Sequence, residues 1–257
     1  MKKRNLVLVF IMALALTACA GKAANTPESS PGPAKAVESA MESLKVLDIK
    51  AFNGYTDNYV ATYRNFLGIP VSRKYRVFNE LQQTELKGGK RYRWNKELAE
   101  KIVENLSWEI GEVRQEGNKA WVDITLTNKD LTDVTGIYEI NLIKGMIQSE
   151  GLGMMHLTRE IFNLTSEGGD ICAIVDEMDE IRNFEVTVRL DEEAGKWKVH
   201  LSEEFINAFM GNLGGGLDDG KYSEEVEKQL EELEFEMNNK ADRIGDNIEQ
   251  WAEGLFE

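Results

Sequence analysis

Two stretches of alternating apolar and polar residues limit the folds open to this chain. The first stretch is interrupted by Gly117-Asn118 and the second by Glu193-Ala194-Gly195. The alternating apolar residues are Trp108, Ile110, Val122, Ile124 and Leu126 in the first stretch and Phe184, Val186, Val188, Leu190, Trp197, Val199 and Leu201 in the second. Alternation around turn residues is typical of half-buried antiparallel strands. The sequence therefore predicts two β-hairpins.

Apolar residues at steps of three and four precede the first hairpin, as in helices that bury one face. The spaced residues are Val37, Met41, Leu44 and Leu47 in a first helix and Phe52, Tyr55, Tyr59, Tyr63 and Phe66 in a second. We expect the first helix to end at Asp48 and the second near Gly68 and Pro70. Further helices are predicted at about 72–86 and 96–106, with a Gly88-Gly89 turn between them.

The aromatic stripe of the second predicted helix has two interpretations. Exposed rings could stack on sugars, whereas rings on one helix face could pack against a sheet. We favour core packing because the spacing fits one buried face. Helices followed by hairpins predict an α+β fold, in which N-terminal helices cover one face of a curved antiparallel sheet. A mainly helical insertion is expected from Leu131 to about Ile181.

The last predicted element is one long amphipathic helix from about Ser223 to the end. Residues 221–257 include 12 acidic and 4 basic side chains, a net charge of −8, which a solvated face explains. The apolar stripe requires cover from its own domain, a second copy or a protein partner, and the sequence does not choose among them. Its members are Val226, Leu230, Leu233, Met237, Ala241, Ile244, Ile248, Trp251 and Leu255.

Residues 1–18 have the layout of an export signal. Lys2, Lys3 and Arg4 precede an apolar run from Leu6 to Leu16, which is shorter than the roughly 20 residues of a membrane-spanning helix. The following Leu16-Thr17-Ala18-Cys19 resembles the lipobox of bacterial lipoproteins. That resemblance implies cleavage before Cys19 and acylation of its thiol, which would attach the chain by membrane lipid to the outer side of a cell membrane.

Residues 19–33 are predicted to form the lipidated cysteine and a flexible tether, because they hold three of the four prolines and no large apolar side chain. Without the signal, the chain has 27 basic and 45 acidic residues, a net charge of −18. We expect such a body to be repelled by nucleic acid and by anionic lipid headgroups. Once Cys19 is acylated, Cys172 is the only thiol left for a disulfide.

Two segments resemble nuclear-transport-factor-2-like domains, which have a cone-shaped fold. Residues 44–52 (Leu44-Lys45-Val46-Leu47-Asp48-Ile49-Lys50-Ala51-Phe52) are similar to the first helix and turn of that family. A second segment resembles the closing strand and short helix of uncharacterised bacterial lipoproteins with this fold. It comprises residues 195–199, Phe205, Ala208, Phe209 and the glycines at 214–216. The resemblance covers residues 34–216 and rests on packing and turn residues, so it implies a fold rather than an activity.

Few residues offer chemistry, and no catalytic residue is assigned. The chain has two histidines and no paired cysteines; His156 and Glu160 would supply at most two metal ligands, so neither a metal site nor a cofactor is expected. The apolar surroundings of Cys172 favour a packed thiol. His200 alternates with two lysines on the polar or pocket-facing side of its strand, and it is the candidate titrating group of a pocket.

Two function classes follow. The first is a membrane-anchored, extracytoplasmic and non-catalytic binding or protein-interaction module. The alternative is a small-molecule enzyme, since the fold that the chain resembles also hosts isomerases and dehydratases built on Asp, His and Tyr. An enzyme requires an open apolar pocket in which His200 meets a carboxylate or a tyrosine. A third option is a role in envelope assembly through self-association of the last helix.

Overall fold

The structure is a computed structural model that describes residues 32–65, 67, 69–148, 169–213, 215–218 and 222–253. Its helices are α1 (Pro33–Lys45), α2 (Ile49–Tyr55), α3 (Glu85–Glu104), α4 (Val134–Gln148), α5 (Gly169–Glu177), α6 (Glu203–Phe209) and α7 (Glu224–Glu253). Its strands are β1 (Tyr59–Arg64), β2 (Pro70–Tyr75), β3 (Ser107–Glu116), β4 (Lys119–Lys129), β5 (Ile181–Glu193) and β6 (Lys196–Val199). A short 3₁₀ turn spans Glu80–Gln82.

The strands form two antiparallel sheets. Strands β3, β4, β5 and β6 lie in sequence order in the larger, open sheet, and β1 pairs with β2 in a separate hairpin. A parallel bridge between Thr56 and Val199 brings the start of that hairpin to the edge strand β6. The predicted α+β class, the two hairpins at 107–129 and 181–199 and the long C-terminal helix are confirmed.

The core lies between one face of the larger sheet and the helices α1, α2 and α6. Along β4 every second side chain, from Ala120 to Asn128, is buried, as period-two geometry requires. The fully buried side chains that fill this face include Val37, Met41, Leu44, Phe52, Leu106, Leu126, Leu190, Leu201, Phe205 and Phe209. The inner face of the sheet is therefore filled by the protein's own side chains.

The second predicted helix is wrong after Tyr55. Helix α2 ends there, and Tyr59 and Tyr63 lie in β1 with about half of each side chain exposed. Residues four apart share a face in a strand as well as in a helix, so the tyrosine spacing did not distinguish the two. The β-branched Val60 and Thr62 between the tyrosines favour the strand. Phe66 and Gly68 lie outside the described residues.

The helix predicted at 72–86 is also wrong, because β2, the 3₁₀ turn and the loops around them occupy residues 72–84. The helix predicted at 96–106 is confirmed but begins earlier, at Glu85, and ends at Glu104. Gly89 has φ 56° and interrupts this helix with a kink. A residue other than glycine is strained in that conformation, which explains why the Gly88-Gly89 pair predicted a break.

The insertion contributes α4 and α5, and α4 packs against α7. Ile140 of α4 is buried with Val226 and Leu233 of α7. Around them pack Ile137, Ile143, Ile147, Tyr222 and Leu230. The first half of the C-terminal stripe is thus covered by its own chain. The side chains of Ala241, Ile244, Ile248, Trp251 and Leu255 lie outside the described part, as do His156 and Glu160.

Two glycines of α4 provide a matched test of this packing. A Cβ on Gly136 would meet Val226 Cγ1 at 2.6 Å and the Tyr222 ring at 3.0 Å, whereas a Cβ on Gly145 meets nothing within 4 Å. We expect Gly136→Ala to lower the free energy of unfolding by about 1–3 kcal/mol through overpacking. Gly145→Ala should raise it by about 0.5–1 kcal/mol through helix propensity. Urea unfolding measures both, and equal effects would contradict the α4–α7 contact.

Candidate functional site

His200 follows β6 and contacts a carboxylate that is distant in sequence. Its Nδ1 lies 2.6 Å from Asp57 Oδ2, and the two side chains are 29% and 33% exposed. Asp57 Oδ1 accepts a hydrogen bond of 2.8 Å from the backbone N–H of Leu201. A guanidinium nitrogen of Arg76 lies 3.5 Å from Asp57 Oδ2. One carboxylate therefore joins the residues before β1, the end of β2 and the end of β6.

Asn58 completes this attachment. Its side chain is fully buried, donates to Asn53 Oδ1 at 2.7 Å, and accepts from the backbone N–H of Val77 at 2.9 Å. The backbone carbonyl of Asn58 accepts a hydrogen bond from the backbone N–H of Arg76 at 2.9 Å. We call Asp57, Asn58, Arg76 and His200 the hairpin base, because together they fasten both ends of the β1–β2 hairpin to the body. An isolated two-stranded hairpin is marginal in water, so this fastening is needed.

The hairpin base lies on the side of β6 that faces away from the main core. His200 lies between Val199 and Leu201, which are both buried, so strand alternation places its side chain on the opposite side from the core. The core beneath the sheet holds Phe209, whose ring contacts those of Phe52 and Phe205 edge to face at centroid distances of 6.4 and 5.5 Å. The convergence of His200 with a carboxylate is present, but it holds structural elements together on the outside of the core.

Several exposed apolar side chains lie together on the hairpin beyond this base. Tyr59, Val60, Tyr63, Leu67 and Ile69 are each 47–65% exposed. We call residues Tyr59–Arg76 the basic hairpin, since this segment has four basic side chains and no acidic one. Between it and the start of α3 lies a groove of about 640 Å³. Its lining includes Tyr63, Arg73, Lys74, Gln82, Gln83 and Lys87.

This surface was not predicted from the sequence, although the charge distribution signals it. Residues 59–96 contain nine basic and two acidic side chains, a net charge of +7, in a chain whose total is −15. The sequence predicted mainly helices in this stretch, and helices would place these charges on different faces. The hairpin instead places Arg73 and Lys74 opposite Thr62 and Ala61 on adjacent strands. Both cationic side chains are exposed.

A second concave region, the acidic cleft, lies where the insertion and α7 meet the sheet. It has a volume of about 770 Å³, and six of its lining residues are acidic: Asp130, Asp133, Glu177, Asp179, Glu180 and Asp218. Three of these carboxylates have structural partners. Asp130 accepts from the N–H of Thr132, Asp133 from the N–H of Ser223, and Asp218 from both terminal nitrogens of Arg182 at 2.7 and 2.9 Å. The cleft is thus a joint between segments.

The electrostatics of this joint centre on Arg182. Its hydrogen bonds hold the pKa of the Asp218 carboxyl below the ordinary value, and Asp218 raises the pKa of Arg182 in return. Asn212, which is fully buried, donates to Asp218 Oδ2 at 2.8 Å and accepts from the N–H of Leu217 at 2.7 Å. In the described part of the chain, no group of three His, Cys, Asp or Glu side chains is arranged to hold a metal ion.

The remaining residues singled out in the sequence are distributed as follows. Cys172 lies in α5 and is 4% exposed, so the prediction of a packed thiol is confirmed. Burial raises its pKa, which disfavours the reactive thiolate. Cys19 and the export signal lie outside the described residues. None of the described helices is long and apolar enough to span a membrane.

Comparison with known proteins identifies no relative. No protein-family model, no curated protein and no solved structure matches this chain.

The hairpin base can be tested by proteolysis. Asp57→Ala removes the shared carboxylate, and we expect the free energy of unfolding to fall by about 1–3 kcal/mol because several donors lose an acceptor. Local opening should also expose Arg73 and Lys74 to faster cleavage by trypsin. The control is Asp191→Ala, which breaks a surface pair with Arg189 at 3.0 Å and should cost less than about 1 kcal/mol. Unchanged cleavage in Asp57→Ala would contradict the proposed fastening.

The joint at Asp218 predicts a pH dependence. A carboxyl whose pKa is lower in the folded state contributes stability above the unfolded value, about 3.9, and this stability is lost as the pH falls through the folded value. Asp218→Asn should therefore destabilise the protein at pH 7, and its deficit relative to wild type should shrink below about pH 4. Asp179→Asn, at an exposed carboxylate of the same cleft, is the control. A deficit that stays constant between pH 7 and pH 3 would refute the ionic contribution.

Proposed function

We propose that this protein is a membrane-anchored, extracytoplasmic lipoprotein whose folded part is a non-catalytic binding module. The export signal, the Leu16-Thr17-Ala18-Cys19 sequence and the proline-rich tether support the anchor. One observation favours a binding module over an enzyme: the inner face of the sheet is filled. The helices α1, α2 and α6 occupy the space that a substrate pocket would need.

We also propose that the folded part is a nuclear-transport-factor-2-like cone with a helical insertion. The order of two helices, a hairpin, a long helix and a four-stranded antiparallel sheet supports this assignment. The Thr56–Val199 bridge supports it further, because it joins the residues just before the β1–β2 hairpin to the edge strand β6.

Association through the C-terminal helix can involve fewer residues than the sequence suggested. Val226 and Leu233 are buried against α4, and Leu230 packs beside them. These residues are therefore already covered within one chain. A second copy or a protein partner would have to use the later part of the stripe, from Met237 onwards.

The anchor is tested by acylation in cells. We expect the wild-type chain to incorporate labelled palmitate and to fractionate with membranes, whereas Cys19→Ser should incorporate none because it lacks the acceptor thiol. Cys172→Ser is the matched control, since it removes the only other cysteine and should keep both the label and the membrane fraction. Labelling of Cys19→Ser, or its absence from wild type, would overturn the proposed anchor.

A further inference from the structure

We propose that the basic hairpin docks on the anionic lipid surface of the membrane to which the chain is tethered. This proposal rests on the proposed lipid anchor, because the tether supplies that surface at high local concentration. The tip of the hairpin would bury its apolar side chains among the headgroups, and its cationic side chains would contact lipid phosphates.

The tip is built to present apolar side chains to the outside. Asn65 Oδ1 accepts from the backbone N–H groups of Leu67 and Ile69, each at 3.0 Å, and the N–H of Asn65 donates to the Ile69 carbonyl at 3.0 Å. These bonds hold the backbone of Leu67 and Ile69 against Asn65. The side chains of Leu67 and Ile69 are nevertheless 65% and 55% exposed. Two aliphatic side chains in water beside backbone groups that are hydrogen-bonded indicate a surface that becomes buried on binding.

Aromatic side chains lie behind this tip. Tyr59 and Tyr75 face each other across the two strands at a centroid distance of 5.9 Å, and Tyr63 lies on β1 closer to the tip. Tyrosine combines an apolar ring with a polar hydroxyl, which suits the boundary between headgroups and acyl chains. The apolar tip, the tyrosines and the cations therefore all lie on one hairpin.

The charges around the hairpin favour an anionic surface. Arg73 and Lys74 are exposed on β2, and Lys87 lines the adjoining groove. Two of the nearby carboxylates are paired with cations: Glu80 with Arg91 at 2.9 Å, and Asp57 with His200 and Arg76. Salt screens charges beyond about 10 Å at 0.1 M, so acidic residues farther away than that weaken this local field only slightly.

A soluble polyanion fits these observations less well than a bilayer. Either would satisfy Arg73, Lys74 and Lys87. Of the two, only a bilayer also offers an apolar phase in which Leu67, Ile69 and the neighbouring tyrosines can be buried away from water.

The test is vesicle binding by a chain that starts at Ala20. Every described element lies from Gly32 onwards, so this chain keeps all described contacts and lacks only the signal and the acylated cysteine. We expect it to co-sediment with vesicles of equal parts phosphatidylglycerol and phosphatidylcholine, and far less with phosphatidylcholine alone. Rising salt should weaken the binding.

Two double variants separate the contributions of charge and apolar contact. Arg73→Gln with Lys74→Gln should lower the partition coefficient by about 10- to 30-fold. Leu67→Ser with Ile69→Ser should lower it by about tenfold, because the apolar contact is lost. The matched control, Lys119→Gln with Lys196→Gln, makes the same charge change at the turn ends of the larger sheet, where both lysines are exposed, and should keep most of the binding. Circular dichroism melting checks that every variant is folded.

Three results would overturn the proposal. The first is absence of binding to the anionic vesicles by the folded wild-type chain. The second is an equal loss in the Lys119 and Lys196 control, which would indicate nonspecific attraction. The third is tighter binding to soluble dextran sulfate than to vesicles with no effect of the Leu67 and Ile69 changes, which would indicate a polyanionic polymer as the ligand. The chain used in this test has no acyl group. A negative vesicle result therefore does not contradict the proposed lipid anchor, and a negative palmitate result does not change the outcome of the vesicle test.

Discussion

The structure depends on burial of one face of the strands β4 and β5. Their alternating side chains, from Ala120 to Leu126 and from Phe184 to Leu190, cannot stay in water, and α1, α2 and α6 cover them. One polar residue within this layer fixes how the covering elements meet the sheet. The buried amide of Asn128 donates to the carbonyls of Ile102 and Phe209, so the end of β4 holds α3 and α6 in place.

Polar networks attach the outer elements to this layer. The hairpin base holds the β1–β2 hairpin through Asp57 and Asn58, and the Arg182–Asp218 pair with Asn212 holds the segment that leads into α7. Apolar packing is non-directional, whereas hydrogen bonds have a preferred geometry. The two junctions therefore set the position of elements that contribute little to the main core, which leaves the hairpin and its charges available to a partner.

Acidic and basic side chains lie in separate parts of this protein, which the net charge alone does not reveal. A total of −15 suggests repulsion from any anionic surface, yet residues 59–96 have a net charge of +7. Acidic side chains concentrate instead on α7 and in the cleft beside Arg182. Net charge governs behaviour at distances beyond the screening length, whereas binding at contact is governed by the charges within that length. An acidic chain can thus present a cationic surface to a membrane.

The sequence alone determined the elements whose apolar spacing fits only one kind of secondary structure. These are the two hairpins of the larger sheet, α1 and the long α7, and together they give the α+β class. Burial of one face imposes a period of two residues on a strand and of 3.6 residues on a helix, so the local pattern is sufficient. It also predicted Cys19 as the lipidation site and singled out His200. Tertiary structure alone decided that Tyr59 and Tyr63 lie in a strand, that Asp57 is the partner of His200, and that α4 covers the first half of the α7 stripe. Residues 143 positions apart in sequence meet only when the core is assembled, so no local pattern encodes their contact.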